Sequence, residues 1–97
     1  MLIDAAKDAL RQGKVLELRH EGLSRFVEVH AVGYSREGHP IMRCWQVGAS
    51  TKRERVGWRL IRLDEGATAH IGPDASAAPR PGYKRGDRDI ERIMVEL

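Results

Sequence analysis

The sequence is poor in cysteine, in aromatic residues and in long apolar runs. Of its 97 residues one is a cysteine, Cys44, and 5% are aromatic. A single thiol excludes an internal disulfide, and no stretch resembles a signal peptide or the roughly 20 apolar residues of a membrane span. We therefore expect a protein of the reducing cytoplasm with no membrane partner.

Length and composition predict one compact domain over residues 1–97. Hydrophobic residues make up 41% of the chain and charged residues 32%, which is typical of a globular protein with room for one core. The 17 Lys and Arg residues exceed the 14 Asp and Glu residues by three. This modest excess fits binding to a polyanion without requiring it.

Hydrophobic periodicity predicts one helix followed by five strands. Residues 1–12 show the helical spacing of an amphipathic segment, and from there the period changes to two. The alternation predicts core strands within residues 14–64. Residues 65–89 are rich in proline and small residues, which favours an irregular connector with one short helical turn near residues 65–70. Residues 90–97 return to strand character.

These elements predict a mainly β fold. The short turns favour a small five-stranded antiparallel barrel, in which the last strand pairs with an early one and the N-terminal α-helix covers an open end. An open sheet packed on one helix is the competing architecture.

Three sequence blocks resemble a WYL domain. They are Arg-Phe-Val-Glu-Val-His-Ala-Val-Gly at 25–33, Cys-Trp-Gln-Val at 44–47 and Trp-Arg-Leu-Ile-Arg-Leu at 58–63. Cys-Trp-Gln stands where the family has its Trp-Tyr-Leu tripeptide, and the similarity covers roughly residues 1–71. The resemblance implies an Sm-like barrel that senses ligands in bacterial transcription regulation or defence. Such domains are thought to bind single-stranded nucleic acid, nucleotides or similar anions through arginines and aromatics.

Positive charge is densest between residues 41 and 63. Strand alternation places Arg43 and Trp45 on one face, which is the combination of cation and stacking platform that single-strand binders use. Arg25 opens the second predicted strand in the position of the family's arginine. The predicted ligand-binding residues are Arg25, Arg43, Trp45, Lys52, Arg53, Arg55, Arg59 and Arg62.

Each of these features also has a structural interpretation. Arginines are an ordinary way to make the outer face of a strand polar, and Trp45 and Trp58 are large enough to belong to the core. Arg25 fits a surface ion pair equally well. His30, among β-branched residues, is typical of a hydrogen-bonded structural histidine. The basic stretch around Tyr83 either wraps a nucleic-acid strand or pins the connector to the sheet.

The leading hypothesis is a non-enzymatic ligand-sensing or regulatory module for single-stranded nucleic acid or a nucleotide-like anion. We expect no cofactor and no metal, because the four histidines are widely spaced and Cys44 has no cysteine partner. The alternative is a protein-interaction module that binds a regulatory protein or forms a homodimer through an open strand edge. An enzyme is the least favoured class, because no paired carboxylates or histidine-centred motif occur.

Overall fold

A computed structural model describes residues 1–63 and 66–97. The elements are helix α1 (Leu2–Gln12) and strands β1 (Lys14–His20), β2 (Leu23–Tyr34), β3 (Pro40–Ala49), β4 (Gly57–Arg62), β5 (Thr68–Ala75) and β6 (Arg92–Glu96). All described strand pairs are antiparallel. The prediction of a mainly β fold with an N-terminal helix is confirmed.

Strand β2 organises the sheet, whose order is β4-β3-β2-β1-β5, with β6 also paired to β2. The first half of β2 pairs with β1 and its second half with β6, while β3 follows the other edge. Register shifts between Phe26 and Val27 and between Val29 and Ala31 bend β2. Because β2 is 12 residues long, β1 and β6 pair with different parts of the same edge. The pairing of β6 with β2 confirms the prediction that the last strand pairs with an early one.

The sheet is open, so the predicted closed five-stranded barrel is not observed. Strands β4 and β5 are its two edges, and no ladder joins them within the described residues. At the β4 edge, the Arg59 guanidinium donates to the main-chain oxygens of Trp58 (3.0 Å) and Arg55 (2.7 Å).

The connector predicted over residues 65–89 is irregular only in part, because it contains β5. Thr68–Ala75 pairs with β1 even though Gly72 and Pro73 interrupt it. An edge strand tolerates proline, since one side of its backbone needs no ladder partner. The predicted helical turn near residues 65–70 begins outside the described residues, and from Thr68 onward the chain is a strand.

The core lies between α1 and the inner face of the sheet. Ile3, Ala6 and Ala9 of the helix pack against Leu16, Val27 and other buried apolar side chains of the sheet. Two alanines on the buried stripe let the helix approach the strands closely. In the described part of the chain, no helix is long and apolar enough to span a membrane.

Candidate functional site

Arg43, on the outer face of β3, is held by two carboxylates. Its Nε donates to Asp87 Oδ2 at 2.6 Å, and its Nη2 donates to Asp87 Oδ1 at 3.2 Å and to Asp89 Oδ2 at 2.8 Å. The hydrogen bonds to Asp87 raise the pKa of Arg43, and the same contact lowers the pKa of the Asp87 carboxyl. Arg43, which the sequence predicts to bind an anionic ligand, is thus already neutralised by carboxylates of the chain itself.

Arg25 makes a similar internal pair. Its two terminal nitrogens contact the Glu54 carboxylate at 2.9 and 3.1 Å, and Nη1 also donates to Gln46 Oε1 at 2.9 Å. These bonds tie the loop between β3 and β4 to β2. These contacts match the interpretation of Arg25 as one half of an ion pair. Arg25 and Arg43 are therefore bound to different carboxylates.

The remaining predicted cations lie elsewhere. Lys52, Arg53 and Arg55 are exposed on the loop between β3 and β4. Arg59 and Arg62 line, together with Arg25, a shallow depression of about 340 Å³ between β1 and β4. The structure does not gather all the predicted arginines beside Trp45, so their joint role in ligand binding stays a prediction.

An aromatic cluster covers the outer face of the sheet. Trp45 meets Trp58 edge to face with ring centroids 5.4 Å apart, and Trp58 stacks on Tyr83 at 6.3 Å and 29°. The His30 ring lies 4.7 Å from Trp58 and 5.1 Å from Tyr83. The Arg80 guanidinium lies 5.6 Å from the Trp45 ring. Both indoles thus pack on the side of β3 opposite Cys44, which belongs to the core under α1.

Glu28 and His30 fasten residues 76–83 onto this face. The buried Glu28 carboxylate accepts from Arg80 Nε and from the Ala77 amide, both at 2.6 Å. His30 Nδ1 donates to the Glu28 carbonyl and Nε2 accepts from the Arg80 amide, each at 2.9 Å. The Tyr83 hydroxyl donates to the His30 carbonyl at 3.2 Å. This geometry requires a neutral imidazole, because both nitrogens are already committed in opposite roles.

The stability of the protein will fall as the pH is lowered through the range in which an ordinary histidine takes up a proton. Burial lowers the pKa of His30 below its ordinary value, more than the Glu28 contacts raise it. Below about pH 6.5 the unfolded chain binds a proton at His30 that the folded chain does not bind. The free energy of unfolding therefore decreases as the pH falls, by at most about 1.4 kcal/mol per pH unit. Urea unfolding between about pH 7.5 and pH 5 will show this slope. In His30→Gln the slope will be reduced, whereas His70→Gln, at an exposed site on β5, will retain it. A His30→Gln variant with the full original slope would contradict the assignment.

An open groove of about 610 Å³ runs between the aromatic cluster and residues 82–89. We call it the 82–89 groove. It is lined by Arg43, Trp58, Gly82, Tyr83, Lys84, Arg85, Gly86, Asp87, Arg88 and Asp89.

Three cations besides Arg43 line this groove. Lys84 and Arg88 are exposed and make no ion pair within the described residues. Arg85 contacts Glu96 at 3.2 Å but keeps 73% of its side chain exposed. The sequence showed these cations beside Tyr83, but not that Trp58 lies next to them, because that contact crosses 25 residues of chain.

Two further features of the described residues concern metal binding and thiol reactivity. No group of three or more His, Cys, Asp or Glu side chains is placed to hold a metal ion there. Burial raises the pKa of Cys44 to about 12. The thiol is therefore protonated and inert at neutral pH.

The groove is the basis for assigning a function. Its aromatic wall and exposed cations are contributed by β4 and by residues 82–89. Comparisons of the chain with protein-family models, curated proteins and solved structures found no match.

Proposed function

We propose that the chain is a non-enzymatic module that binds single-stranded nucleic acid or a nucleotide-like anion in the 82–89 groove. One observation carries the proposal: the stacked rings of Trp58 and Tyr83 lie in the same groove as Lys84, Arg85 and Arg88. Cations that follow a phosphate backbone beside an aromatic stacking surface are the usual means of binding single strands.

The division of roles follows from the chemistry of each group. Lys84 and Arg88 neutralise phosphates, since neither is engaged by a carboxylate within the described residues. Trp58 and Tyr83 contact a base. The Tyr83 hydroxyl is bonded to the His30 carbonyl, so its ring is held in place before a ligand arrives, which lowers the entropy lost on binding. Phosphate contacts and stacking carry little base information, so sequence preference is weak.

The resemblance to a WYL domain supports the same ligand class and a sensory or regulatory role in the cytoplasm. We also propose that the open sheet is a variant of that family's Sm-like barrel. Bulges bend β2, and only residues 63–67 separate β4 from β5 in the sequence. Pairing of these two edges would close the sheet. Lys52, Arg53, Arg55, Arg59 and Arg62 are then secondary contacts for a longer strand.

Neutralising the groove will weaken binding to a single-stranded oligonucleotide. In Lys84→Gln/Arg88→Gln, we expect affinity for a labelled oligothymidylate of about 15 nucleotides to fall roughly tenfold at low salt. The slope of log affinity against log salt will become shallower by about one to two, because fewer counterions are released. Fluorescence anisotropy at several salt concentrations measures both quantities.

The matched control is Arg11→Gln/Arg36→Gln, which removes the same charge from the end of α1 and from the turn before β3, outside the groove. Equal losses in the two double variants would mean that only net charge matters, and they would remove the proposed site. Cleavage of the oligonucleotide, with or without a divalent metal, would contradict the non-enzymatic assignment.

The alternative function is a protein-interaction or oligomerisation module. Leu60 and Met94 are 42% and 44% exposed, which favours it. The edges of the sheet disfavour it, because Pro73 interrupts β5 and the charged Arg59 side chain lies along the edge strand β4, where it donates to the Trp58 carbonyl. Mass measurement in solution separates the two. A stable, salt-insensitive dimer without oligonucleotide affinity would favour the alternative.

A further inference from the structure

We infer that the Asp89 carboxylate competes with anionic ligands for Arg43. It occupies a position on the guanidinium that a phosphate can take, and a bound polyphosphate replaces it there. The inference rests on the proposed function, and it adds to the 82–89 groove a fourth cation that is covered until the ligand arrives.

The contacts of Arg43 have the geometry of an occupied anion site. The guanidinium takes Asp87 with two nitrogens, and its Nη2 takes Asp89 Oδ2 at 2.8 Å as well. Arginine uses the same forked contacts for carboxylate and for phosphate. A single positive charge is therefore covered by two negative ones, in a groove that otherwise carries exposed cations.

The two carboxylates differ in how firmly they are held. The Asp87 side chain is 11% exposed, and its Oδ1 also accepts the Asp89 amide at 3.0 Å. The Asp89 side chain is 61% exposed, and within the described residues its carboxylate contacts only Arg43. Asp87 thus fixes the orientation of the guanidinium, whereas Asp89 makes one solvent-exposed contact that is cheap to release.

Exchange at this position selects for highly charged ligands. Asp89 is tethered beside Arg43, so it competes at a high effective concentration. A monoanion gains little binding free energy here, because it only exchanges one negative charge at Arg43 for another. A polyphosphate gains more, because it contacts Arg43 and the neighbouring cations Lys84 and Arg88 at once.

The test measures binding of inorganic pyrophosphate by isothermal titration calorimetry at low salt. In Asp89→Asn, we expect affinity to increase about fivefold. The control is Glu91→Gln, which removes one carboxylate from the same segment outside the groove lining, and its gain will stay below about twofold. In an Arg43→Gln background, Asp89→Asn will lose its advantage over Glu91→Gln. Thermal unfolding of each variant checks that the fold is retained.

Equal gains in Asp89→Asn and Glu91→Gln, a gain that survives Arg43→Gln, or no gain at all would each overturn the inference. The oligonucleotide experiment on Lys84 and Arg88 decides the proposed function separately. A chain that gains Arg43-dependent pyrophosphate affinity in Asp89→Asn but does not bind oligonucleotides would retain the inference and lose the nucleic-acid proposal. A chain with oligonucleotide binding that depends on Lys84 and Arg88, but with no Asp89 effect, would give the reverse.

Discussion

Gly33→Ala will destabilise the protein by about 3 kcal/mol, because β2 has no room for a side chain where it pairs with β6. A Cβ atom at Gly33 would overlap the carbonyl oxygen of Arg92 and lie 2.6 Å from Cγ2 of Ile90. Gly33 pairs with Ile93 in the ladder between these strands. The carbonyl of Arg92 belongs to the same backbone, so it cannot retreat without disturbing that ladder.

A matched glycine makes the experiment decisive. Gly48 lies in β3, and a Cβ built there meets nothing within 4 Å. Gly48→Ala will change the free energy of unfolding by less than about 0.5 kcal/mol. Urea unfolding, followed by tryptophan fluorescence, measures both variants. If Gly33→Ala were as stable as Gly48→Ala, the close packing of β6 on β2 would be wrong.

The local sequence predicted a helix or strand correctly wherever the pattern of its residues was not interrupted. The period-two alternation of β1, the β-branched residues of β2 and the helical spacing of Ile3, Ala6 and Leu10 are properties of neighbouring residues, and they identified these elements directly. Strand β5 was missed because Gly72 and Pro73 interrupt its pattern. Its strand conformation comes from pairing with β1, which is a tertiary effect that overrides local preference.

The candidate site was harder to predict than the fold. Arg43 was identified as a cation beside a tryptophan, but its partner Asp87 is 44 residues away. Arg25 is likewise 29 residues from Glu54. Composition counts such charges without indicating which of them neutralise each other. Trp58 was predicted as core or as site; it packs on Trp45 and also lines the 82–89 groove.

Glu28 holds the connector against the sheet, so Glu28→Gln will destabilise the protein by about 2 kcal/mol at neutral pH. The carboxylate is 3% exposed and receives charge-assisted hydrogen bonds from Arg80 as well as the Ala77 amide. Burial acts to raise the pKa of Glu28, but these hydrogen bonds outweigh it and hold the pKa below its ordinary value. The ionised form is thus the one that stabilises the fold.

The pH dependence separates this interaction from simple packing. A depressed carboxyl pKa gives stability that is fully present above the ordinary value of about 4.3 and is lost as pH falls through the folded-state value. The difference in free energy of unfolding between wild type and Glu28→Gln will therefore become smaller in acid, because the glutamine does not titrate. Urea unfolding at neutral pH and at about pH 3.5 measures it. Glu17→Gln is the control, because Glu17 contacts the 65% exposed Arg19 at 3.6 Å. Its other partner, the Ser24 hydroxyl at 3.2 Å, can donate equally to a glutamine oxygen, so we expect a change below about 0.5 kcal/mol. A loss in Glu28→Gln that persisted unchanged in acid would assign the effect to shape, and the Arg80 contact would then be incidental.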